Sequence, residues 1–340
     1  MQTRKRWKWG VVFSGENLSL AELLQFSRLA EDAGAESFWS FEIYRDAFVP
    51  LTAIASAVQK VRIGSAVAHI ARPPALTAIS AQSLAEYTNG RFILGLGPVP
   101  KGIYESWYGA ALQKPVAHMR EYVECIRTLW SAAPTQTVSY EGEFYQVHDY
   151  RRFSSVPLDP IPLYLAGTLP QMIQLAGFHA DGLIANTITT PRYFTDVVHP
   201  NLRKGLAATG RSRENFELCA FKVCAVNKNA HTARTLARHA IVFSSALPYF
   251  DVVLDPMGFT EAKLQIRDAM GRNDIQCALK AVTEEMVDAL VLAGTADDVH
   301  RQLEPFERLF DTVILLCPFF GVEPEEARAN HQARIEAFSR

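Results

Sequence analysis

The sequence predicts an α/β protein, a (β/α)8 TIM barrel with insertions. Eight short apolar segments, typical of parallel strands buried on both faces, alternate with segments of helical periodicity. The chain has 340 residues, 49% of them hydrophobic, a size at which such barrels commonly form one domain. An open doubly wound sheet fits less well, because its dinucleotide fingerprint needs a glycine where this chain has Pro100.

The predicted elements alternate along the whole chain. The strands are expected at residues 7–13, 37–42, 61–70, 91–97, 161–166, 181–186, 216–227 and 311–317. The helices are expected at residues 18–33, 51–58, 74–87, 115–130, up to 177, at 191–208 and from 323 onward. Gly34 is a typical helix stop, and Asn89-Gly90 is a strong turn signal before the fourth strand. The segment between that strand and residue 115 reads as irregular.

Two insertions interrupt this alternation. Glu141-Gly142 lies between β-branched and aromatic residues, which indicates a hairpin insertion near residues 137–157. Residues 230–293 read as a helical insertion without a clear strand. We therefore expect one barrel domain, residues 1–340, carrying both insertions.

Charge and cysteine usage exclude several classes of protein. The net charge is −2, so there is no basic footprint for nucleic acid, and a small-molecule substrate is the better expectation. The five cysteines lack the paired spacing of a zinc site or the density of a disulfide scaffold, and no metal site is expected. No run of about 18 apolar residues predicts a membrane span, so we expect a cytoplasmic protein.

The fourth predicted strand ends in Gly95-Leu-Gly97. Glycines lack the side chain that would keep a flat ring or a phosphate away from the backbone. This ending therefore predicts either bare backbone facing a ligand or a plain tight turn.

Other candidates follow from the position of barrel active sites, which lie at the carboxyl ends of the strands. Glu42 ends the second strand and reads either as a general base or ring acceptor, or as a rim carboxylate paired with Arg45. His69 ends the third strand, where a proton donor would be useful, although a structural histidine is the more frequent case.

The fifth strand runs into Gly167-Thr168-Leu169 before a helix start, which suits an anion. The alternative is a helix that Thr168 caps with nothing bound. Aromatic residues after the fourth strand and around the hairpin could floor an apolar pocket or simply pack the loops; these are Tyr104, Trp107, Tyr108, Tyr150 and Phe153.

Several motifs, in this order, make the chain resemble the luciferase-like monooxygenase superfamily, and within it the branch that uses the 8-hydroxy-5-deazaflavin coenzyme F-420, including methylenetetrahydromethanopterin reductase. The carriers are Leu29-Ala-Glu-Asp-Ala-Gly34, Arg72-Pro-Pro-Ala-Leu-Thr-Ala78, Asn89-Gly-Arg-Phe-Ile-Leu-Gly-Leu-Gly97, Lys114-Pro-Val116 with Arg120, Ile161-Pro-Leu-Tyr-Leu-Ala-Gly167, Ala176-Gly177 with Ala180-Asp-Gly182, and Leu292-Ala-Gly-Thr295.

The resemblance implies a bacterial luciferase-like barrel, usually dimeric or larger, with a non-proline cis peptide bond at Ala66-Val67. It places the ring near Ala66, Val67 and Gly97 and the phosphate near Gly167, Thr168 and Leu169. The cofactor-binding positions it implies are Ala66, Val67, Gly97, Pro98, Ala166, Gly167, Thr168 and Leu169. Glu42 and His69 are the candidate catalytic residues.

Three positions depart from the pattern of these relatives. Ile43 stands where many have a histidine, Pro100 where an acid is often found, and Val12 where the reductase branch has an acid. The cofactor of these relatives can therefore be carried over to this chain more readily than their substrates. We expect a coenzyme F-420-dependent oxidoreductase acting on an unidentified small organic molecule; the alternatives are an FMN-dependent monooxygenase and a non-catalytic flavin-binding barrel.

Overall fold

The computed structural model describes residues 8–13, 18–43, 45–109, 113–152 and 160–339. Within them the strands are β1 (Lys8–Phe13), β2 (Ser37–Ser40), β3 (Arg62–Ser65), β4 (Ala68–His69), β5 (Phe92–Gly97), β6 (Thr137–Glu141), β7 (Gln146–Arg151), β8 (Leu163–Gly167), β9 (Gly182–Ala185), β10 (Glu217–Val226), β11 (Leu292–Gly294) and β12 (Thr312–Leu316). The α-helices are α1 (Leu20–Ala33), α2 (Phe48–Ala57), α3 (Pro74–Tyr87), α4 (Lys101–Tyr108), α5 (Pro115–Trp130), α6 (Pro170–His179), α7 (Pro191–Tyr193), α8 (His199–Ala208), α9 (Ala230–Ser245), α10 (Asp251–Leu254), α11 (Thr260–Gly271), α12 (Ile275–Ala281), α13 (Glu284–Leu290), α14 (Ala296–Leu303) and α15 (Pro324–Phe338). A π-helical turn, Phe194–Val198, joins α7 to α8.

Eight of the strands close into a parallel barrel. They pair in the order β1, β2, β3, β5, β8, β9, β10 and β12, and β12 pairs with β1 to complete the ring. Leu315 and Phe38, for example, both lie beside Val11, one on each side of β1. The predicted (β/α)8 TIM barrel is thereby confirmed.

Continuous apolar strands fill the barrel wall, because both faces of each strand are covered. All six residues of β5 and all five of β12 are buried. The helices pack around this wall in chain order, so the loops that follow the strand ends gather at one rim. This rim is where a site is expected.

Local signals set several helix boundaries. Ser19 caps α1 and forms a capping box with Glu22, while Gly34 ends the helix with a φ of 95° that favours glycine. Helices α3 and α5 begin at Pro74 and Pro115, in the first turn, where the missing proline N–H costs nothing. These boundaries agree with the sequence prediction.

Several elements differ from it. Helix α14 lies where no helix was predicted, and the predicted strand 61–70 is divided into β3 and β4. The segment expected to be irregular after the fourth strand contains α4, in which Ile103, Tyr104 and Trp107 recur at helical spacing. The helical region after residue 230 ends in a short strand, β11, which pairs with β10 outside the barrel. Residue 7 of the first predicted strand and residues 153–157 of the hairpin insertion lie outside the described residues. That the whole chain is one domain stays a prediction.

Among the described residues, no single helix is both long and apolar enough to cross a membrane. Ala230–Ser245 and Pro248–Met257 together reach the required length and composition, but as a pair bent by 104°.

Candidate active site at the barrel mouth

A cavity of about 450 Å³ opens at the carboxyl end of the barrel strands. This volume lies in the range of small-molecule sites. Its described lining is mostly apolar and comes from seven barrel strands and the loops after them, together with α4 and the region of α9. Of the predicted cofactor positions, Ala66, Val67, Pro98 and Ala166 line this cavity, whereas Gly97 and the three residues 167–169 do not.

The segment after β3 forms one wall of the cavity. Its Ala66-Val67 peptide bond is cis, as the resemblance implied. The Ala66 N–H donates to the Ser40 carbonyl at 2.7 Å, and the Val67 carbonyl accepts from the Glu42 N–H at 3.1 Å. The loop after β2 therefore holds this segment on both sides of the cis bond.

The two glycines of β5 do not present bare backbone to the cavity. A Cβ on Gly95 would lie 1.9 Å from the Ser65 carbonyl oxygen, and one on Gly97 would lie 2.4 Å from a Val67 methyl carbon. The interpretation of this strand ending as exposed backbone is wrong, because the segment after β3 already fills the space. Gly97 allows Val67 to reach the cavity wall.

His69 lies at the cavity with its side chain buried. It is 5% exposed, and its Nδ1 has no hydrogen-bond partner among the described residues. Burial lowers the pKa of His69 from 6.5 to about 4, so the imidazole is neutral at physiological pH. A neutral imidazole can donate or accept one hydrogen bond at this atom according to its tautomer.

Glu42 lies behind His69 and is not part of the described cavity lining. One carboxylate oxygen accepts from the His69 backbone N–H at 2.9 Å, and the other accepts from Arg72 at 3.0 Å. Arg72 also donates to Asp46 at 2.7 Å. The alternative prediction that Glu42 pairs with Arg45 is wrong, because Arg45 donates to the Leu18 carbonyl. Both oxygens of Glu42 hold protein groups in place.

The candidate phosphate loop, Gly167–Leu169, lies beside the cavity. Leu169 is the N-cap of α6 and makes no side-chain cap, so the expected capping by Thr168 is wrong. The Thr168 hydroxyl accepts from the Asn186 amide at 2.8 Å, and its carbonyl accepts from the Tyr193 hydroxyl at 2.6 Å. Anion binding at this loop stays a prediction.

Sequence reasoning missed a large part of the cavity wall. Asn186 and Thr187 follow β9, Phe319 and Phe320 follow β12, and Phe243 lies on α9. The strand-end rule that located His69 would have located the first four as well, had it been applied beyond the fifth strand. No local pattern marks Phe243, because it reaches the cavity only through tertiary packing.

The predicted aromatic floor lies elsewhere. Tyr104, Trp107, Tyr108 and Tyr150 do not line the cavity, and Phe153 lies outside the described residues. Tyr108 packs edge-on against the His69 ring, with centroids 6.4 Å apart, and Trp107 is 55% exposed.

A second concavity, of about 940 Å³, lies at the opposite end of the barrel. Two of its lining residues are paired with each other, since the Tyr164 hydroxyl donates to Glu217 at 2.6 Å. Arg62, which is not among the lining residues, donates two further hydrogen bonds to Glu217, at 2.5 and 2.8 Å. Residues at the amino end of a barrel usually contribute to its stability and not to catalysis.

Within the described residues, no group of three or more His, Cys, Asp or Glu side chains could hold a metal ion.

Comparison with known proteins identifies the family of this chain. The sequence profile described as luciferase-like monooxygenase matches residues 8–313. The chain belongs to the luciferase-like monooxygenase family. It is 31% identical, over 334 residues, to 5,10-methylenetetrahydromethanopterin reductase of Archaeoglobus fulgidus, and the match covers 94% of this chain and 96% of the relative.

Solved structures of the family share the fold. The coenzyme F420-dependent tetrahydromethanopterin reductase of Methanopyrus kandleri superposes with a TM-score of 0.83 at 24% identity, covering 98% of this chain and all of that one. An F420-dependent secondary alcohol dehydrogenase in complex with an F420-acetone adduct superposes with a TM-score of 0.75 at 18% identity, covering 99% and 100%. The predicted family and enzyme class, an oxidoreductase, are confirmed by the sequence matches.

Two of the three departures from the family pattern lie in the site itself. Ile43 and Pro100 line the cavity, while Val12 is fully buried in β1 and is not among the lining residues. This chain therefore presents apolar surface at two positions where the resemblance implied a histidine or an acid.

Proposed function

We propose that this member of the family is a coenzyme F420-dependent oxidoreductase that exchanges hydride with a small organic substrate at the barrel mouth. The observation that carries the proposal is the apolar cavity at the strand ends, whose lining includes His69, a buried residue with no hydrogen-bond partner for its Nδ1 among the described residues. A flat redox ring needs such a pocket, with few polar groups that fix its orientation. The Methanopyrus kandleri reductase, which is described as coenzyme F420-dependent, supports the choice of coenzyme.

The residues present fit a deazaflavin ring. Four lining residues with small or compact side chains would hold the ring against the strand ends; these are Ala66, Val67, Pro98 and Ala166. Gly97 lies behind Val67. When bound, the coenzyme supplies hydride chemistry, and the protein supplies orientation and a water-poor surface. The Nδ1 of His69 is the buried polar atom that a ring or substrate oxygen would satisfy.

Two further assignments belong to this proposal. Gly167, Thr168 and Leu169 would hold the phosphate of the coenzyme, because α6 begins there without a side-chain cap. Glu42 acts as a positioning residue, since its carboxylate holds the His69 backbone and Arg72 and does not reach the described cavity lining.

Titration of the purified chain with coenzyme F420 and, separately, with FMN tests the proposal. We expect F420 to raise the melting temperature of the protein, and we expect the fluorescence of F420 to change when it binds. Ala166→Leu places three extra carbon atoms in the cavity and should weaken F420 binding at least tenfold. Ala208→Leu, on the exposed side of α8, is the matched control and should leave it unchanged.

The other results are equally informative. Stabilisation by FMN alone, with oxygen consumption in turnover, would replace the proposal by an FMN-dependent monooxygenase. Binding without turnover of any substrate class would favour a flavin-binding barrel. Stabilisation by neither ligand, or equal F420 affinity in Ala166→Leu and the wild type, would contradict the proposed site.

We also propose that the protein is a homodimer. Helices α2 and α3 pack side by side and leave large apolar side chains exposed, namely Val49, Leu76, Ile79 and Tyr87. Exposed apolar groups on neighbouring helices are typical of a subunit interface. Light scattering after size-exclusion chromatography should give twice the 37.9 kDa chain mass, and Ile79→Glu should shift it toward the monomer.

A further inference from the structure

The rim of the cavity has two chemically different arcs. After β3, β5 and β8, which are neighbours in the barrel, the lining consists of small residues, proline and His69. After β2 and β12, which flank β1, and on α9, the largest lining side chains are four phenylalanines, accompanied by aliphatic residues and Ser244. We call this second arc the aromatic wall; its members are Phe41, Phe243, Phe319 and Phe320.

The aromatic wall is a packed unit with accessible rings. Phe319 lies 5.9 Å from Phe41 and 5.4 Å from Phe243 between ring centroids, and Phe320 lies 5.6 Å from Phe243. All four side chains are partly exposed and line the cavity. Tilted and edge-on rings at these distances attract one another and present a firm apolar surface to a further ring.

The described part of the cavity lining offers no counter-ion for a charged substrate. None of the described residues that line it is an Asp, Glu, Lys or Arg. The nearby charges are engaged elsewhere: Arg72 bonds Glu42 and Asp46, and the buried Lys222 donates to the carbonyls of Thr189 and Leu290. A charged group brought against these described lining residues would lose its hydration without gaining an ionic partner from them, which is costly.

We propose that the substrate is an uncharged hydrophobic ketone or alcohol, large enough to cover the aromatic wall, whose single oxygen hydrogen-bonds the Nδ1 of His69. A neutral imidazole suits both members of this redox pair, because one tautomer donates to a ketone oxygen and the other accepts from a hydroxyl. The inference rests on the proposed coenzyme for its chemistry and on the cavity for its specificity.

The reaction balances with that coenzyme alone. In the direction of reduction, the carbonyl carbon gains a hydride and the oxygen gains a proton, and these are the two hydrogens that the reduced coenzyme loses. The ketone gains two electrons and becomes the alcohol. No further oxidant, reductant or metal enters.

Three naphthalene probes of nearly equal size test the substrate class on the full chain saturated with F420. 2-Acetonaphthone is neutral and has the oxygen, 2-naphthoate is charged, and 2-ethylnaphthalene has no oxygen. By calorimetry, we expect 2-acetonaphthone to bind at least tenfold more tightly than 2-naphthoate. Equal or tighter binding of 2-naphthoate, or binding of neither, would overturn the proposal.

Variants test the two contacts separately. His69→Leu should weaken 2-acetonaphthone about fivefold to tenfold and 2-ethylnaphthalene less than twofold, since it removes one hydrogen bond. Phe243→Ala should weaken both neutral probes several-fold and leave F420 affinity unchanged. Phe178→Ala, on an exposed site of α6, is the matched control, and Phe243→Leu replaces Phe243→Ala if that variant fails to fold.

The results separate this inference from the proposed function. If Phe243→Ala weakens F420 as much as the neutral probes, the aromatic wall belongs to the coenzyme site and the inference is wrong. If F420 does not bind the wild type, the proposed function fails. The comparison of the neutral and charged probes is then made on the chain alone, and it still supports or overturns the substrate class.

Discussion

Replacing His69 should remove a specific part of the acid sensitivity of this protein. Burial lowers the pKa of His69 from 6.5 to about 4 in the folded state, whereas in the unfolded chain it returns to the higher value. Between these two pH values the unfolded state binds the additional proton, so the folded state loses stability as the pH falls. A pKa lowered from 6.5 to about 4 corresponds to about 3 kcal/mol at full protonation, because one pKa unit is worth about 1.4 kcal/mol. Between pH 7.5 and pH 4.5 the expected loss is about 2.5 kcal/mol.

The assay is urea unfolding followed by tryptophan fluorescence at pH 7.5 and pH 4.5, on the wild type and on His69→Gln. Other groups titrate in the same range, so the informative quantity is the difference between the two proteins in their loss of stability. His231→Gln, at an exposed position of α9, should lose as much stability as the wild type. If His69→Gln and the wild type lose the same free energy within about 0.5 kcal/mol, the assignment of His69 as a buried neutral imidazole is refuted.

Three further predictions follow from contacts near the cavity and at the far end of the barrel. Gly97→Ala forces its new methyl group into the Val67 side chain, so it should lower the free energy of unfolding in urea by about 1–3 kcal/mol and weaken F420 binding. The control Gly271→Ala, whose methyl group meets nothing within 4 Å, should do neither, and equal stabilities of the two variants would contradict the close approach. Burial alone would raise the pKa of Glu217, but hydrogen bonds from its neighbours lower it from 4.5 to about 2, so Glu217→Gln should cost about 3 kcal/mol above pH 4.5, and the difference from the wild type should shrink as the pH falls toward 2. Glu42→Gln keeps an acceptor for the His69 N–H and should change the F420 dissociation constant less than threefold, while Glu42→Ala should raise it about tenfold; equal losses in both variants would argue for a role of the charge itself.

The sequence predicts the barrel well because its determinants are local. Eight apolar runs, each bounded by turn residues, mark the strands, and caps such as Ser19 and Gly34 mark the helix ends without reference to distant parts of the chain. Helix α4 was missed because Pro98, Pro100 and Gly102 all signal a loop, whereas Ile103, Tyr104 and Trp107 recur at helical spacing and Tyr104 is buried.

The site is predicted only in part, because residue type and strand position do not fix which neighbour fills a space. The strand-end rule places His69 at the cavity, but it also places Glu42 there, and only the hydrogen bonds show that Glu42 faces Arg72 and the backbone of His69. Gly97 could equally have faced a ligand or a side chain. Val67, in the segment after β3, decides between them, and it lies 30 residues away from Gly97 in the sequence.

The same contacts explain how the cavity remains uncharged next to a carboxylate. Glu42 bonds the backbone of His69 and not its ring, so the carboxylate holds the wall in place without stabilising an imidazolium. Ile43 and Pro100 line the cavity and add no titratable group to it. His69 is thus the only described lining residue with a basic side chain, and it is neutral from about pH 5 upward. A substrate proton cannot then come from an imidazolium at this wall, and catalysis through His69 should depend on its hydrogen bond alone, with no break in rate from its titration between pH 5 and 8.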